Sequence, residues 1–146
     1  MGELPKCRLV GAGAPGQSPQ GLPYAAGISR ETVGAQRLCM HLSIIPPGGR
    51  ARAHAHPGHE TAVYLISGAI EVWSGERLED YCLLRAGDFF YIPAGVPHLP
   101  ANASQTERCL AVIARTDPAD QEHVALLPAL EECLVAAAHH QRAADR

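Results

Sequence analysis

Histidine side chains are concentrated in one short segment of the chain. His54, His56 and His59 lie within six residues, Glu60 follows directly, and His98 lies in a second segment rich in Gly and Pro. Imidazole and carboxylate groups are the usual protein ligands of Zn, Mn, Fe, Ni and Cu. The sequence therefore predicts one divalent transition metal bound by these side chains, and it does not distinguish among the five metals.

The spacing of the histidines predicts how they share one site. Residues two apart on a β-strand point to the same side, so His54 and His56 would enter the same space. A tight reversal at the Pro-Gly pair that follows would place His59 across from His56. A turn in the second segment would direct His98 toward the same point. These four histidines, with Glu60 as an alternative to His59, are the candidate metal ligands.

The composition argues against several classes of function. Basic residues number 12 and acidic residues 15, and the basic residues are scattered, so we expect no nucleic-acid partner. The chain contains no apolar run near 18 residues and no apolar segment after its start, so we expect neither a membrane span nor a signal peptide. The five cysteines form no C-x-x-C pair and are expected to be reduced thiols in a cytoplasmic protein.

Short β-rich runs separated by Gly and Pro predict an all-β sandwich or barrel. The expected strands are residues 36–45, 62–66, 69–74, 81–85, 89–92 and 109–114. From Pro128 onward apolar residues recur at helical spacing, which predicts a C-terminal helix that packs on the barrel or on a partner. The predicted divisions are a Gly/Pro-rich arm (1–27), the barrel (28–117) and a C-terminal segment (118–146).

Two motifs resemble those of the cupin superfamily. The second segment matches the pattern G-x5-P-x-G-x2-H-x3-N at Gly87, Pro93, Gly95, His98 and Asn102. The first resembles G-x5-H-x-H-x3,4-E-x6-G through Gly48, His54, His56, Glu60 and Gly68. The resemblance implies a small bacterial single-domain cupin with a double-stranded β-helix. Because cupins are frequently dimers, it also implies a homodimer. It also implies a divalent metal bound by both histidines of the first motif, one further residue of that motif, and His98.

The first motif departs from the pattern at its carboxylate. Seven residues separate Glu60 from Gly68 where the pattern has six, so counting back from Gly68 reaches Thr61. Strand alternation then places His59 and Thr61 on one face and Glu60 on the other, unless a one-residue bulge turns Glu60 inward. The further ligand is therefore His59 or Glu60. Four histidines would favour Zn or Cu, whereas three histidines and a glutamate would suit Mn, Fe or Ni.

The function that this resemblance implies is metal-dependent chemistry on a small-molecule substrate. We expect an oxygen-rich, partly apolar substrate such as a diketone, a catechol-like compound or a polyketide, because small zinc-containing polyketide cyclases and dioxygenases share this kind of site. Glu60 and Tyr64 are the candidate catalytic residues, with His59 a further proton carrier. His41 is expected to be a further ligand, a partner of a ligand or a structural histidine. The alternative is a non-catalytic module that binds or senses a metal or a small ligand.

Overall fold

A computed structural model describes residues 2–121 and 123–134 and shows two antiparallel β-sheets. The six-stranded sheet contains, in spatial order, β1 (Pro15–Gln17), β2 (Pro23–Ile28), β3 (Cys39–Ile45), β10 (Cys109–Arg115), β5 (Thr61–Ser67) and β8 (Phe89–Ile92). The five-stranded sheet contains β11 (Ala125–Leu126), β4 (His54–Ala55), β9 (His98–Asn102), β6 (Ala69–Ser74) and β7 (Asp80–Arg85). From β3 to β10, consecutive strands alternate between the two sheets, except that β6 and β7 lie side by side in the five-stranded sheet. This is the winding of a double-stranded β-helix.

The apolar core lies between the two sheets. Val63 and Leu65 on β5 pack in one cluster with Ile70 and Val72 on β6, and Leu65 is fully buried. Each such side chain stabilises the fold by about 1.5–3 kcal/mol relative to an exposed position. Sheet-on-sheet packing of these residues therefore holds the barrel together.

Strand β5 shows a clear alternation of burial. Thr61, Val63 and Leu65 are buried, whereas Ala62 and Tyr64 face outward. This confirms the alternation predicted from the sequence. Because a shift of one residue would exchange the two faces, the apolar pattern of β5 determines which of its side chains enter the barrel.

The turn between β5 and β6 depends on Gly68. Its φ of +87° lies in the left-handed region, where residues with a side chain are strained. A Cβ atom there would lie 2.7 Å from the Sγ atom of Cys109 and 3.0 Å from the carbonyl oxygen of Arg108. The glycine of the first motif is thus required by the close approach of β10.

Elements at both ends of the described chain pack on the barrel. Residues 15–17 and 23–28, within and beside the predicted arm, form the edge strand β1 and its neighbour β2 in the six-stranded sheet. Helix α1 (Arg30–Val33) follows, and Ser29 caps it by accepting a hydrogen bond from the Thr32 backbone. Helix α2 occupies residues 128–134, and the predicted helical residues beyond it (135–146) lie outside the described residues.

Helix α2 is joined to the strand that carries the first histidine. Leu130 and Leu134 pack against a small cluster that contains Ala53 and Leu99. The carboxylate of Glu131 accepts a 2.7 Å hydrogen bond from the backbone nitrogen of Ala53. In the described part of the chain, no helix is both long and apolar enough to span a membrane.

Candidate metal centre

The pairing of β4 with β9 brings two of the predicted ligands together. His54 on β4 lies directly opposite His98, the first residue of β9. Their ring centroids are 4.2 Å apart, and each residue is only 2% exposed. Residues opposite each other in an antiparallel pair have adjacent side chains, so the strand pairing itself creates this contact.

His56 completes a cluster of three imidazoles. Its ring centroid lies 4.9 Å from that of His54, and its Nε2 atom lies 3.1 Å from the Nε2 atom of His98. One ligand nitrogen from each of the three histidines lies within 4.8 Å of the others. The sequence prediction that these side chains converge is therefore consistent with the structure.

Backbone carbonyl groups orient two of the rings. The Nδ1 atom of His54 is 2.6 Å from the carbonyl oxygen of Arg52, and that of His98 is 3.0 Å from the carbonyl oxygen of Val96. A carbonyl oxygen only accepts hydrogen bonds, so both Nδ1 atoms carry the hydrogen. In the neutral ring Nε2 then holds the lone pair, which is the tautomer that a metal requires.

The spacing of the nitrogens is compatible with a shared metal. Two nitrogens that are each about 2.1 Å from one metal are about 3.0 Å apart at a right angle and about 3.4 Å apart at the tetrahedral angle. The 3.1 Å between the Nε2 atoms of His56 and His98 lies within this interval. The donor set is also one that Zn, Cu, Ni, Fe and Mn accept.

The histidine cluster forms part of the wall of a cavity of about 80 Å³ inside the barrel. Most of the wall is apolar, with side chains from both sheets that include Val63, Ile92, Ile70, Val72 and Leu84. Thr61 lies in the same wall and is 4% exposed. Its Oγ1 atom is buried with no hydrogen-bond partner among the described residues.

Glu60, one of the two candidates for the further ligand, points away from the cavity. It is exposed, and its carboxylate accepts a 2.6 Å hydrogen bond from the hydroxyl group of Tyr91 on β8. This hydrogen bond raises the pKa of the Tyr91 hydroxyl, because loss of the proton would place two negative charges side by side. Tyr64, the other candidate proton carrier, is also on the outer face, where its ring contacts Phe89.

His59, the second candidate, is buried beside the cluster. Its ring centroid lies 5.0 Å from that of His56, and its Nδ1 atom lies 3.9 Å from a carboxylate oxygen of Asp117. His41 is half-buried in the cavity wall and accepts a 3.0 Å hydrogen bond from the guanidinium of Arg115.

Unbroken alternation along β5 explains why Thr61, and not Glu60, faces inward. Strand β10 pairs Leu110 with Ser67 but the next residue, Ala111, with Leu65, so the bulged residue on β5 is Ile66. This bulge lies on the Gly68 side of Leu65 and therefore leaves the alternation from Thr61 to Leu65 unchanged.

A family model described as the cupin domain matches residues 41–113, which is half of the chain. The chain belongs to the cupin family. This confirms the resemblance predicted from the two motifs, and the matched range spans β3 to β10, which includes all three clustered histidines.

Individual relatives agree with a cupin fold. A germin-like protein, subfamily T member 3, of Arabidopsis thaliana is 34% identical over 88 residues, which cover 57% of this chain and 38% of that protein. The chain therefore spans much less than the full length of this relative.

Two solved structures have the same fold at low identity. The oxalate decarboxylase of Lactobacillus farciminis, in complex with formate, is 21% identical with a TM-score of 0.64. The match covers 78% of this cupin and 33% of the decarboxylase chain. A protein with a double-stranded β-helix domain from Klebsiella pneumoniae is 21% identical with a TM-score of 0.59, over 75% of this cupin and 86% of that chain. These likenesses confirm the predicted double-stranded β-helix.

Two features of the site were not assigned a role from the sequence. Counting back from Gly68 identified Thr61 as the position of the motif's carboxylate. It did not indicate that the hydroxyl group of Thr61 would be buried in the wall of the cavity. The Glu60–Tyr91 hydrogen bond depends on the pairing of β5 with β8, where Tyr91 lies opposite Ala62. No local pattern in either segment indicates that pairing.

Proposed function

We propose that this cupin is a metal-dependent enzyme whose metal ligands are His54, His56 and His98. The observation that carries the proposal is the convergence of three buried imidazoles on one side of an otherwise mostly apolar cavity. A bound divalent metal supplies Lewis-acid polarisation of substrate oxygen atoms, and a redox-active metal adds chemistry with dioxygen. The reaction is cyclase-like or dioxygenase-like.

The residues of the chain limit what the substrate can be. The cavity that the three histidines line has a volume of about 80 Å³ and is enclosed mostly by apolar side chains. Its aliphatic walls exclude water and favour a partly apolar substrate with its oxygen atoms toward the histidines. A small diketone fits this description.

Of the two candidates for a further ligand, we favour His59. Its ring is buried next to His56, while the Glu60 carboxylate lies at the surface in a hydrogen bond to Tyr91. We therefore expect His59→Ala to weaken metal binding and Glu60→Ala to leave it unchanged, as measured by metal titration. The reverse result would assign the ligand role to Glu60.

One observation favours a non-catalytic alternative, a cupin that binds or senses a metal or small ligand. The expected proton carriers Glu60 and Tyr64 both lie on the outer face of the barrel, away from the cavity. The described polar side chains that line the cavity are those of Gln20, Ser43, Thr61, Cys109 and the histidines. A reaction that requires a carboxylic acid or phenol in the cavity is therefore not supported.

Elemental analysis of the protein as purified, with His98→Ala as the control, tests the proposal. We expect one metal per chain in the native protein and a loss of that metal in the variant. Oxygen uptake or turnover with a small diketone would then support the enzyme, and a bound metal without turnover would favour the binding module. If the native protein contains no metal and takes up none on soaking, the metal-dependent enzyme is wrong and only a barrel without a metal, structural or binding a small ligand, is left.

We also propose that the chain forms a homodimer through the outer face of β5 and β8. Phe89 on β8 is 82% exposed, and Tyr91, Tyr64 and Ile66 lie exposed on the same face. Among the described residues β8 pairs only with β5, so its other edge is available to a second copy. Exposed aromatic side chains are enriched in protein interfaces, which supports this face over the others.

A further inference from the structure

Thr61 places a hydroxyl group where the first cupin motif, counted from Gly68, has its carboxylate. The side chain is 4% exposed and lies in the wall of the same cavity as His54, His56 and His98. Within the described residues its Oγ1 atom has no hydrogen-bond partner. A buried hydroxyl group without a partner is unfavourable, so this atom is expected to bond with something that enters the cavity.

The charge of the cavity wall indicates what that partner is. The described residues that line the cavity include no Asp or Glu. Glu60 points outward, and the carboxylate of Asp117 lies beside His59 and outside the cavity lining. A divalent cation held by neutral imidazoles would keep its full positive charge in an apolar surrounding, where an uncompensated charge is costly.

We propose that the cavity selects a small anionic oxygen donor, such as a carboxylate or an enolate, and that the Thr61 hydroxyl positions it by donating a hydrogen bond. The anion would offset the positive charge of the metal, which a carboxylate ligand from the protein would otherwise offset. This inference rests on the proposed metal site, and it names the substrate class of that site. Thr61 is a positioning and specificity residue here and not a metal ligand.

The test uses the cobalt(II)-loaded protein and the visible absorption of the bound cobalt as its readout. Metal stoichiometry is measured first, and acetate and acetamide, which have nearly the same size but differ in charge, are then titrated. We expect acetate to bind the native protein at least about tenfold more tightly than acetamide. Thr61→Val, which keeps the shape and removes the hydroxyl, should weaken acetate about tenfold or more.

Two variants serve as matched controls. Thr61→Ser retains the hydroxyl group and should keep acetate affinity within about threefold of the native value, because the hydrogen bond is preserved. Glu60→Gln removes the outward-facing carboxylate next to Thr61 and should change neither cobalt stoichiometry nor acetate affinity.

The outcomes separate this inference from the metal site on which it rests. If the native protein binds no cobalt, the proposed site is wrong and this inference fails with it. If cobalt binds but acetate and acetamide bind equally, or if Thr61→Val binds acetate as tightly as Thr61→Ser, the inference alone is overturned. Loss of acetate affinity in both Thr61 variants would show that packing, and not the hydroxyl, is responsible.

Discussion

Asn102 joins the end of β9 to three other parts of the backbone. Its Nδ2 atom lies 3.0 Å from the carbonyl oxygen of Ile45, 3.1 Å from that of Pro46 and 2.7 Å from that of Glu107. Its Oδ1 atom accepts a 2.8 Å hydrogen bond from the backbone nitrogen of Ser104. We predict that Asn102→Asp, which keeps the shape and the acceptor but removes both N–H donors, strongly destabilises the fold.

The magnitude follows from these contacts. Asn102 is 5% exposed; its contact with Ile45 is buried, and those with Pro46 and Glu107 are partly buried. The amide has two N–H donors, and a hydrogen bond contributes about 1 kcal/mol net, so their loss accounts for about 2 kcal/mol. The introduced carboxylate would also face the three carbonyl oxygens, which brings the expected loss of unfolding free energy to about 3–5 kcal/mol. A domain of this size has a total of about 5–15 kcal/mol.

The effect should depend on pH in a defined direction. Because the folded state places the introduced carboxyl group against carbonyl oxygens, its pKa there lies above the unfolded value of about 3.9. The protonated form restores one donor. The loss of unfolding free energy that the ionised carboxylate causes is therefore absent below the unfolded pKa. It grows as the pH rises and reaches its full size above the folded pKa.

Urea unfolding followed by circular dichroism measures this loss, with Gln105→Glu as the control. Gln105 is exposed in the same loop, so the same amide-to-carboxylate change there should cost no more than about 0.5 kcal/mol. If Asn102→Asp costs less than about 1 kcal/mol, or no more than the control, then the hydrogen bonds of Asn102 do not stabilise the barrel as argued.

Three further predictions concern the surface and the core. Glu60→Gln should lower the pKa of Tyr91, as measured by ultraviolet titration. Metal loading of the native protein should leave the Tyr91 pKa raised. A fall of that pKa on loading would show that Glu60 turns toward the metal. Leu65→Ala should reduce the unfolding free energy by about 2–5 kcal/mol in urea, because its fully buried side chain leaves a cavity between the sheets. Phe89→Asp should yield a monomer in sedimentation experiments while Tyr81→Asp, on the other sheet, should not; an unchanged mass would exclude this face as the interface.

Strands that carry their own pattern could be predicted from the sequence, and those that depend on a partner could not. β6 and β8 have the predicted bounds, and β5 and β10 differ by one or two residues, because each has an apolar or alternating run between turn signals. β9 contains a proline at position 100, and β4 has only two residues. β9 pairs with β6 along its whole length, and β4 lies between β9 and β11; no local pattern indicates these pairings.

The candidate site divides in the same way. The alternation of His54 and His56 and the motif around His98 indicated three histidines that the structure does bring together. The orientation of Glu60 and Thr61 could not be decided, because it depends on where β5 accommodates one additional residue. That position is set by pairing with β10, which lies more than forty residues further along the chain.

The hydrophobic core therefore determines the chemistry of the cavity wall. If the bulge lay before Thr61 instead of at Ile66, Glu60 would turn inward and could supply a carboxylate. A shift of the whole strand by one residue would also turn Glu60 inward, but it would expose Val63 and Leu65, each of which contributes about 1.5–3 kcal/mol when buried. It would also bury Tyr64 in a space now filled by aliphatic side chains. Packing of β5 against β6 thus stabilises the register in which a neutral hydroxyl group, and not a carboxylate, lies in the wall of the cavity that the three histidines line.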